Sequence, residues 1–518
     1  MAIVINSIKP CSAQVTSLND PVVHLQNQGD IQGYYSDNLA IFKGVPYAAA
    51  PTDQNRWLPP QPALGWGQIT RLAKDFGPNC SQKLNPEDNN NNLRLTSEDC
   101  LYLNIWTPKN IFEQPDLQYH FPVMVWIHGG AFVTGGTSKT IYDGNKIAQQ
   151  GVIVVTINYR LGRFGFFAHP ALKKENEENN WVNYGLMDQI AALQWIKKNI
   201  AAFGGDNTNV TLFGESAGGA SILALMTSMD TEDLFSKVII QSGTGHSQAY
   251  SPTPLNTAET IGLNFATKHR IFGNNSQTLQ QLRKLTSQEI VDNLSLQDLQ
   301  PNYFAGLTID GILLKQKLDD AYQQGLFSPK PSLIGDNDGD YLTLSPPPLN
   351  ELAKELGTDI QDINKIYNPS GKESEKSTAY KILADLQIIE PTRKLEIQVS
   401  QKNVPVYRYR FSYIPSSVRA YTHYGAPHAS EIPFVFDNLD QQYKTFSAQD
   451  EAMAKLMMTS WVNFAKSGNP SIAGFDQFKP FTKNSQNLFH FSMQGVHFEK
   501  DPFASRLDFI EKCLRMKH

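Results

Sequence analysis

Apolar positions along the chain gather into short continuous runs. Phe121 to Ile127 is one and Val152 to Asn158 another, and Lys237 to Gly243, Pro331 to Gly335 and Val404 to Phe411 follow. Runs of that length without alternation read as strands buried on both faces. Leu101-Tyr102-Leu103-Asn104-Ile105-Trp106 alternates instead, as a strand with one polar face does, and Pro21 to Val45 reads as short strands leading to Phe42–Tyr47. Between runs the period lengthens. Gly185 to Ala202 places Leu186, Ile190, Leu193, Ile196 and Ile200 at helical spacing and stops before Phe203-Gly204-Gly205-Asp206. Such alternation predicts an α/β class with a mostly parallel central sheet and helices on both faces. Residues 250–330 and 345–402 are polar and helical in flavour, and predict helices beside and above the sheet that shape a pocket. No Pro/Gly/Ser-rich linker and no internal repeat divides the 518 residues, so residues 1–518 predict one large domain despite their length.

Charge and composition exclude more than they assign. A net charge of −5 gives no electrostatic footprint for nucleic acid. The charged tracts at 173–178 and 372–376 read as solvated faces. No apolar run reaches membrane-spanning length, and Met1 to Pro10 has no charged leader region, so it is not read as a signal peptide. The four cysteines are Cys11, Cys80, Cys100 and Cys513. Cys80 and Cys100 flank a polar loop containing Asn89 to Asn92, and Cys11 and Cys513 could tie the two termini. Spacing alone fits four idle thiols equally well. Sequons at Asn209, Asn274 and Asn293 matter only in a eukaryotic secretory pathway.

The candidate chemistry starts at Phe213-Gly214-Glu215-Ser216-Ala217-Gly218-Gly219. The short run Val210 to Phe213 precedes it and the helical run Ala220 to Met226 follows. A strand, a glycine-flanked turn with serine at its apex and a helix form the nucleophile elbow of an α/β-hydrolase. Gly214 and Gly218 are needed because a Cβ there would strike the neighbouring strand or helix. The turn pushes the Ser216 hydroxyl out of the sheet, and the helix aims its positive end at developing negative charge. A serine hydroxyl is a weak nucleophile, so a base is required nearby.

Several further segments carry a family resemblance. Glu98-Asp99-Cys100-Leu101-Tyr102-Leu103-Asn104-Ile105 and Phe213 to Gly219 resemble the two signatures of the type B carboxylesterases, which include the cholinesterases. Trp126-Ile127-His128-Gly129-Gly130-Ala131-Phe132 resembles that family's oxyanion segment. Asn183 to Gln189 with Trp195-Ile196, and Trp461 to Pro470, resemble two of its helices. The resemblance runs from about residue 21 to about residue 510. It implies a serine carboxylic ester hydrolase of the α/β-hydrolase fold, acting on a small-molecule ester through an acyl-enzyme, with no metal or cofactor. It also implies a Cys80–Cys100 disulfide, and hence a secreted or periplasmic protein.

The resemblance assigns roles residue by residue. Ser216 is the nucleophile. His428 is the base, because only it has Glu-Ile three residues later; imidazole titrates near neutrality and suits the role. His423 reads as a loop histidine and His128 as a support of the oxyanion loop. In Gly335-Asp336-Asn337-Asp338-Gly339-Asp340-Tyr341 the family spacing from Gly335 gives Asp340 as the acid, with Asp338 as the alternative. Here the sequence departs from the family's Glu-Gly, which stands as Asp340-Tyr341. Triads with Asp work on this fold. The run has its glycine in the wrong place for a calcium loop. The N–H groups of Gly130, Ala131 and Ala217 form the implied oxyanion hole. Ser242 would hydrogen-bond the acid, and Glu215 would face the pocket.

The loop between Cys80 and Cys100 lacks the aromatic residue that stacks on choline in cholinesterases, which argues against a choline-ester specialist. Thr244 to Tyr250 is read as bordering the acyl pocket, with His246 and Tyr250 able to restrict it. Two rival readings share this fold. One is a non-catalytic adhesion module, which would lack the nucleophile. The other is a hydrolase of amide, carbamate or lactone bonds. Oligomeric state is not readable.

Overall fold

A computed structural model describes residues 20–84, 96–114, 116–175, 180–244, 251–296, 302–342, 345–475, 478–482 and 485–516. Its centre is an eleven-stranded sheet. The strands are β1 (Tyr34–Ser36), β2 (Leu39–Pro46), β3 (Tyr102–Pro108), β4 (Phe121–Ile127), β5 (Ile153–Ile157) and β6 (Gly205–Glu215), followed by β7 (Lys237–Gln241), β8 (Ser332–Asn337), β9 (Val406–Phe411), β10 (Asn487–Ser492) and β11 (Gly495–Lys500). Their spatial order is β11-β10-β9-β8-β7-β6-β4-β5-β3-β2-β1. From β5 through β10 neighbouring strands pair in parallel, and the strands at both edges pair antiparallel.

The continuous apolar runs are the parallel centre. Every residue of β5, β7, β8 and β9 is buried. Side chains of a strand alternate between faces, so each run feeds two cores. Val123, Val125, Leu212, Val238 and Ile334 join one cluster with helices α1 (Tyr184–Asn199) and α2 (Ala217–Met226). Met124, Trp126, Phe213, Ile239 and Leu333 join the other with helix α3 (Ala448–Ser467). The polar helical stretches resolve as Leu255–Lys268, Ser276–Arg283, Ser287–Val291 and Leu318–Gln324, then Leu349–Leu356, Ile360–Tyr367, Glu375–Ala384 and Glu390–Ser400. The β10–β11 hairpin and helix α4 (Ala504–Arg515) have no counterpart in the sequence reading.

Register places the site. Gly214 lies opposite Ile127, Glu215 opposite Gln241, and Gln241 opposite Gly335. The carboxyl ends of β4, β6, β7 and β8 therefore finish level, and the loops after them emerge along one edge, where ligands of open parallel sheets bind. Beneath the loop after β8, buried charges alternate. Arg410 Nε is 2.7 Å from Asp336 and its Nη1 2.6 Å from Asp501, while Arg408 is 2.6 Å from Asp501 and 2.7 Å from Glu396. All five side chains are fully buried.

Cys80 and Cys100 form a disulfide with Cα atoms 5.0 Å apart. It fastens the segment that holds the loop after β4. Gln82 accepts from the Thr134 hydroxyl at 2.7 Å and the Gly135 N–H at 2.9 Å, and its amide donates to Gly135 O at 2.6 Å. Cys513 is buried on α4, and its suggested partner Cys11 lies outside the described residues. Among the described residues no helix is long and apolar enough to cross a membrane.

Candidate active site

Ser216 stands between β6 and α2 with φ 55° and ψ −122°, a region disfavoured for a residue with a Cβ. Packing holds it there. A Cβ on Gly218 would lie 1.9 Å from Ile127 O, and one on Gly214 2.8 Å from the Gly218 carbonyl carbon. The Ser216 N–H donates to Gln241 O at 2.9 Å. Ser216 is 5 % exposed, so the tip of the turn lies in a confined space.

The loop after β4 borders this tip. A Cβ on Gly129 would lie 2.6 Å from a Glu215 carboxylate oxygen and 3.0 Å from Ser216 Cβ. Gly130 has φ 110°, and Ala131 and Phe132 have φ 52° and 63°. This left-handed run turns the chain sharply, and Gly130 O accepts from the N–H groups of Val133 and Thr134. His128 beside it is buried and stacks on Tyr159 at 4.5 Å, with Nδ1 2.8 Å from Gly129 O. Burial lowers its pKa to about 4, so the ring is neutral at pH 7 and supports the loop without carrying charge.

His428 Nδ1 is 2.6 Å from Asp340 Oδ1, and Asp340 is fully buried. The other oxygen of Asp340 accepts the Asn337 N–H at 3.0 Å. The sequence left Asp340 and Asp338 as alternatives; the carboxylate against the ring is that of Asp340. The Asp-rich run sends its side chains to three different partners. Asp336 goes to Arg410, Asp340 to His428, and Asp338 Oδ1 accepts the Ala426 N–H at 2.5 Å.

His428 Nε2 lies 3.2 Å from Glu215 Oε1. Glu215 and Ser216 are consecutive, so this contact brings the imidazole to the elbow. Burial pushes the Glu215 carboxyl well above the usual range. Burial also disfavours the His428 imidazolium, but the Glu215 and Asp340 carboxylates and the Asp340 hydrogen bond outweigh it and raise the imidazole pKa.

Ser242 is placed differently from expectation. It is buried with φ 48°, but its Oγ has no hydrogen-bond partner among the described residues, and the Asp340 carboxylate is steadied by the Asn337 N–H instead. The Ser242 N–H is committed to Gly335 O at 2.9 Å. The reading also missed what fixes the histidine loop. Asn337 Nδ2 donates to Pro427 O at 2.8 Å and to Glu431 at 2.7 Å, and Gln241 donates to Glu431 at 3.0 Å. The Glu431 three residues after His428 was a usable signal: a carboxylate in the apolar context Ile-Pro-Phe needs buried donors. Tyr341, standing where the family has glycine, packs its ring at a tilt against Tyr380 with centroids 4.3 Å apart, and Tyr380 likewise against Tyr424 at 4.5 Å. His246, Tyr250 and residues 85–95 of the Cys80–Cys100 loop lie outside the described residues.

Comparison with known proteins identifies the family. The profile of the Carboxylesterase family matches residues 19–366 and 349–510. A fumonisin B1 esterase of Sphingopyxis macrogoltabida is 34 % identical over 481 residues, covering 89 % of this chain and 84 % of the relative. A para-nitrobenzyl esterase of Bacillus subtilis (strain 168) is 34 % identical over 470 residues, covering 86 % and 89 %. A solved structure of a PNB esterase superposes with a TM-score of 0.78 at 31 % identity, covering 95 % of this chain and all of that one. The chain belongs to the carboxylesterase family and has the α/β-hydrolase fold. It is a carboxylic ester hydrolase, and its substrates are small molecules.

Proposed function

We propose that the protein, acting as one domain, hydrolyses carboxylic esters by two-step acyl transfer at Ser216. The observation that carries this reading is the 2.6 Å contact between His428 Nδ1 and buried Asp340, at the edge where the Ser216 elbow emerges. Asp340 fixes the tautomer that leaves Nε2 free to accept a proton. Nε2 takes the Ser216 proton as Oγ bonds to the ester carbonyl carbon, and the carbonyl π electrons move onto oxygen. That oxyanion is met by the N–H groups of Gly130, Ala131 and Ala217, which are held in place before reaction and need not reorganise. Collapse expels the alcohol, which takes the proton from His428. Water repeats the sequence on the acyl-enzyme and releases the acid.

Hydrolysis of a chain-length series of p-nitrophenyl esters tests this. The wild type turns over, Ser216→Ala abolishes turnover, and Asp340→Asn lowers kcat by roughly 10³–10⁴-fold, the scale seen when a triad histidine loses its orienting carboxylate. Full activity in Ser216→Ala would refute the assignment. The Cys80–Cys100 bond supports a secreted or periplasmic location. Counting thiols in the denatured, unreduced protein tests that, and four reactive thiols would reverse it.

A further inference from the structure

Asp338 was the rival candidate for the acid, and its actual contacts suggest another task. Its N–H donates to Phe411 O at 3.0 Å, and its carboxylate reaches the chain two residues before His428 by accepting the Ala426 N–H at 2.5 Å. The next residue, Gly339, donates its N–H to Ala426 O at 3.1 Å and bridges to Pro427. The loops are so close that a Cβ on Gly339 would lie 2.5 Å from Tyr424 O, and one on Gly425, at φ 90°, 2.7 Å from Asp338 Oδ1. The acid loop and the histidine loop therefore meet backbone to backbone, and the Asp338 carboxylate is one of the bonds between them.

A chain of hydrogen-bonded side chains lies behind that carboxylate. Ser412 neighbours Asp338 and is one of the groups that offset the burial of its carboxyl. Ser412 Oγ is 2.7 Å from His490 Nε2, and His490 Nδ1 is 2.6 Å from Glu499. Ser412 directly follows β9, His490 is on β10 and Glu499 on β11, so the chain runs from the site to the edge hairpin. This serine, histidine and glutamate share the spacing of a hydrolytic triad. Ser412, however, neighbours Asp338 rather than the Ser216 elbow, which favours a supporting role over a nucleophilic one.

We infer that Asp338 is a positioning residue: by accepting the Ala426 N–H it fixes the Ala426 backbone and thereby the reach of the His428 ring toward Asp340. The short acid side chain makes this placement consequential, since Asp340 has one methylene less than the family's Glu to span the gap, and a misplacement of about 1 Å can cost about 10²-fold. The inference rests on the ester-hydrolase reading of the site.

The test uses the full chain with p-nitrophenyl butyrate as substrate and a fluorophosphonate as Ser216 label. Asp338→Ala is expected to lower kcat by about 10- to 100-fold with KM changed less than about twofold, and to slow labelling in parallel. Asp338→Asn is expected to restore most of kcat, because its amide oxygen still accepts the Ala426 N–H. Ser412→Ala is expected to give a smaller loss of kcat, again with KM kept. A folded Asp338→Ala with unchanged kcat, a loss confined to KM, or an Asp338→Asn as impaired as Asp338→Ala would overturn the inference. If Asp338→Ala does not fold, Ser412→Ala decides: reduced kcat upholds the role and unchanged kcat rejects it. A wild type that neither turns over ester nor takes the label would instead defeat the hydrolase reading, so the two failures are distinct.

Discussion

At the residue scale, on the acyl-transfer reading, the proton balance of His428 sets the working pH. The base must be neutral, and neighbouring carboxylates raise its pKa above 6.5. Activity is therefore lost as pH falls through that raised value, higher than for a free imidazole. Glu215 is the carboxylate nearest Nε2. Glu215→Gln is expected to move the acid limb of kcat/KM to lower pH, because a neutral amide no longer favours the imidazolium. A kcat/KM profile from pH 5 to 10 reads this directly; an unmoved limb would mean that Glu215 does not influence the base. Of these groups, the Ser216 elbow was legible in the sequence through its local pattern, and His428 was singled out through the family resemblance. Asp340 was favoured there with Asp338 as the alternative, because the family's Glu-Gly stands here as Asp340-Tyr341 and the carboxylates recur at every second position, where strand periodicity alone would put them on one face. Asp336 is still on the strand, which ends at Asn337, and the turn after it sends Asp338 and Asp340 to separate partners.

At the element scale, the sequence was most legible where burial left no choice. The runs that became β4 through β9 lie deep in the parallel sheet, so hydrophobicity alone marks them. The β10–β11 hairpin escaped notice because β11 alternates around charged and polar positions, Glu499 and His497 among them, and one of its faces is wet. Likewise Ser242 was given a partner from the family pattern, whereas backbone geometry decides whether a hydroxyl can reach. The elbow offers a sharp element-level test. A Cβ at position 218 would sit 1.9 Å from a backbone carbonyl that cannot swing away. Gly218→Ala is expected to cost about 1–3 kcal/mol of stability through overpacking and to depress kcat, since β4 and α2 must separate. Denaturant unfolding together with ester turnover measures both, and wild-type values in each would mean that the junction is softer than its contacts indicate.

At the scale of the whole molecule, distant segments converge on the site. The Cys80–Cys100 bond closes a loop whose stem, through Gln82, holds Thr134 and Gly135 beside the turn that begins at Gly129. Replacing both cysteines by serine is expected to lower stability by about 3 kcal/mol from the unfolded chain's regained freedom. Activity should also fall at temperatures below global melting, as the turn loosens first. Parallel melting and activity curves check this, and curves that shift together would restrict the disulfide to global stability.

The backward-bent Ser216 backbone has a practical consequence. A conformation with φ 55° is not one an unfolded serine visits readily, and it persists only because β4, β6, β7 and α2 all close around it. On the acyl-transfer reading, the hydroxyl becomes reactive only when assembly is complete. The fraction of a preparation that takes up one equivalent of a serine-directed label would then count correctly folded molecules. The nucleophile would serve as a built-in reporter of folding yield, readable before any natural substrate is known.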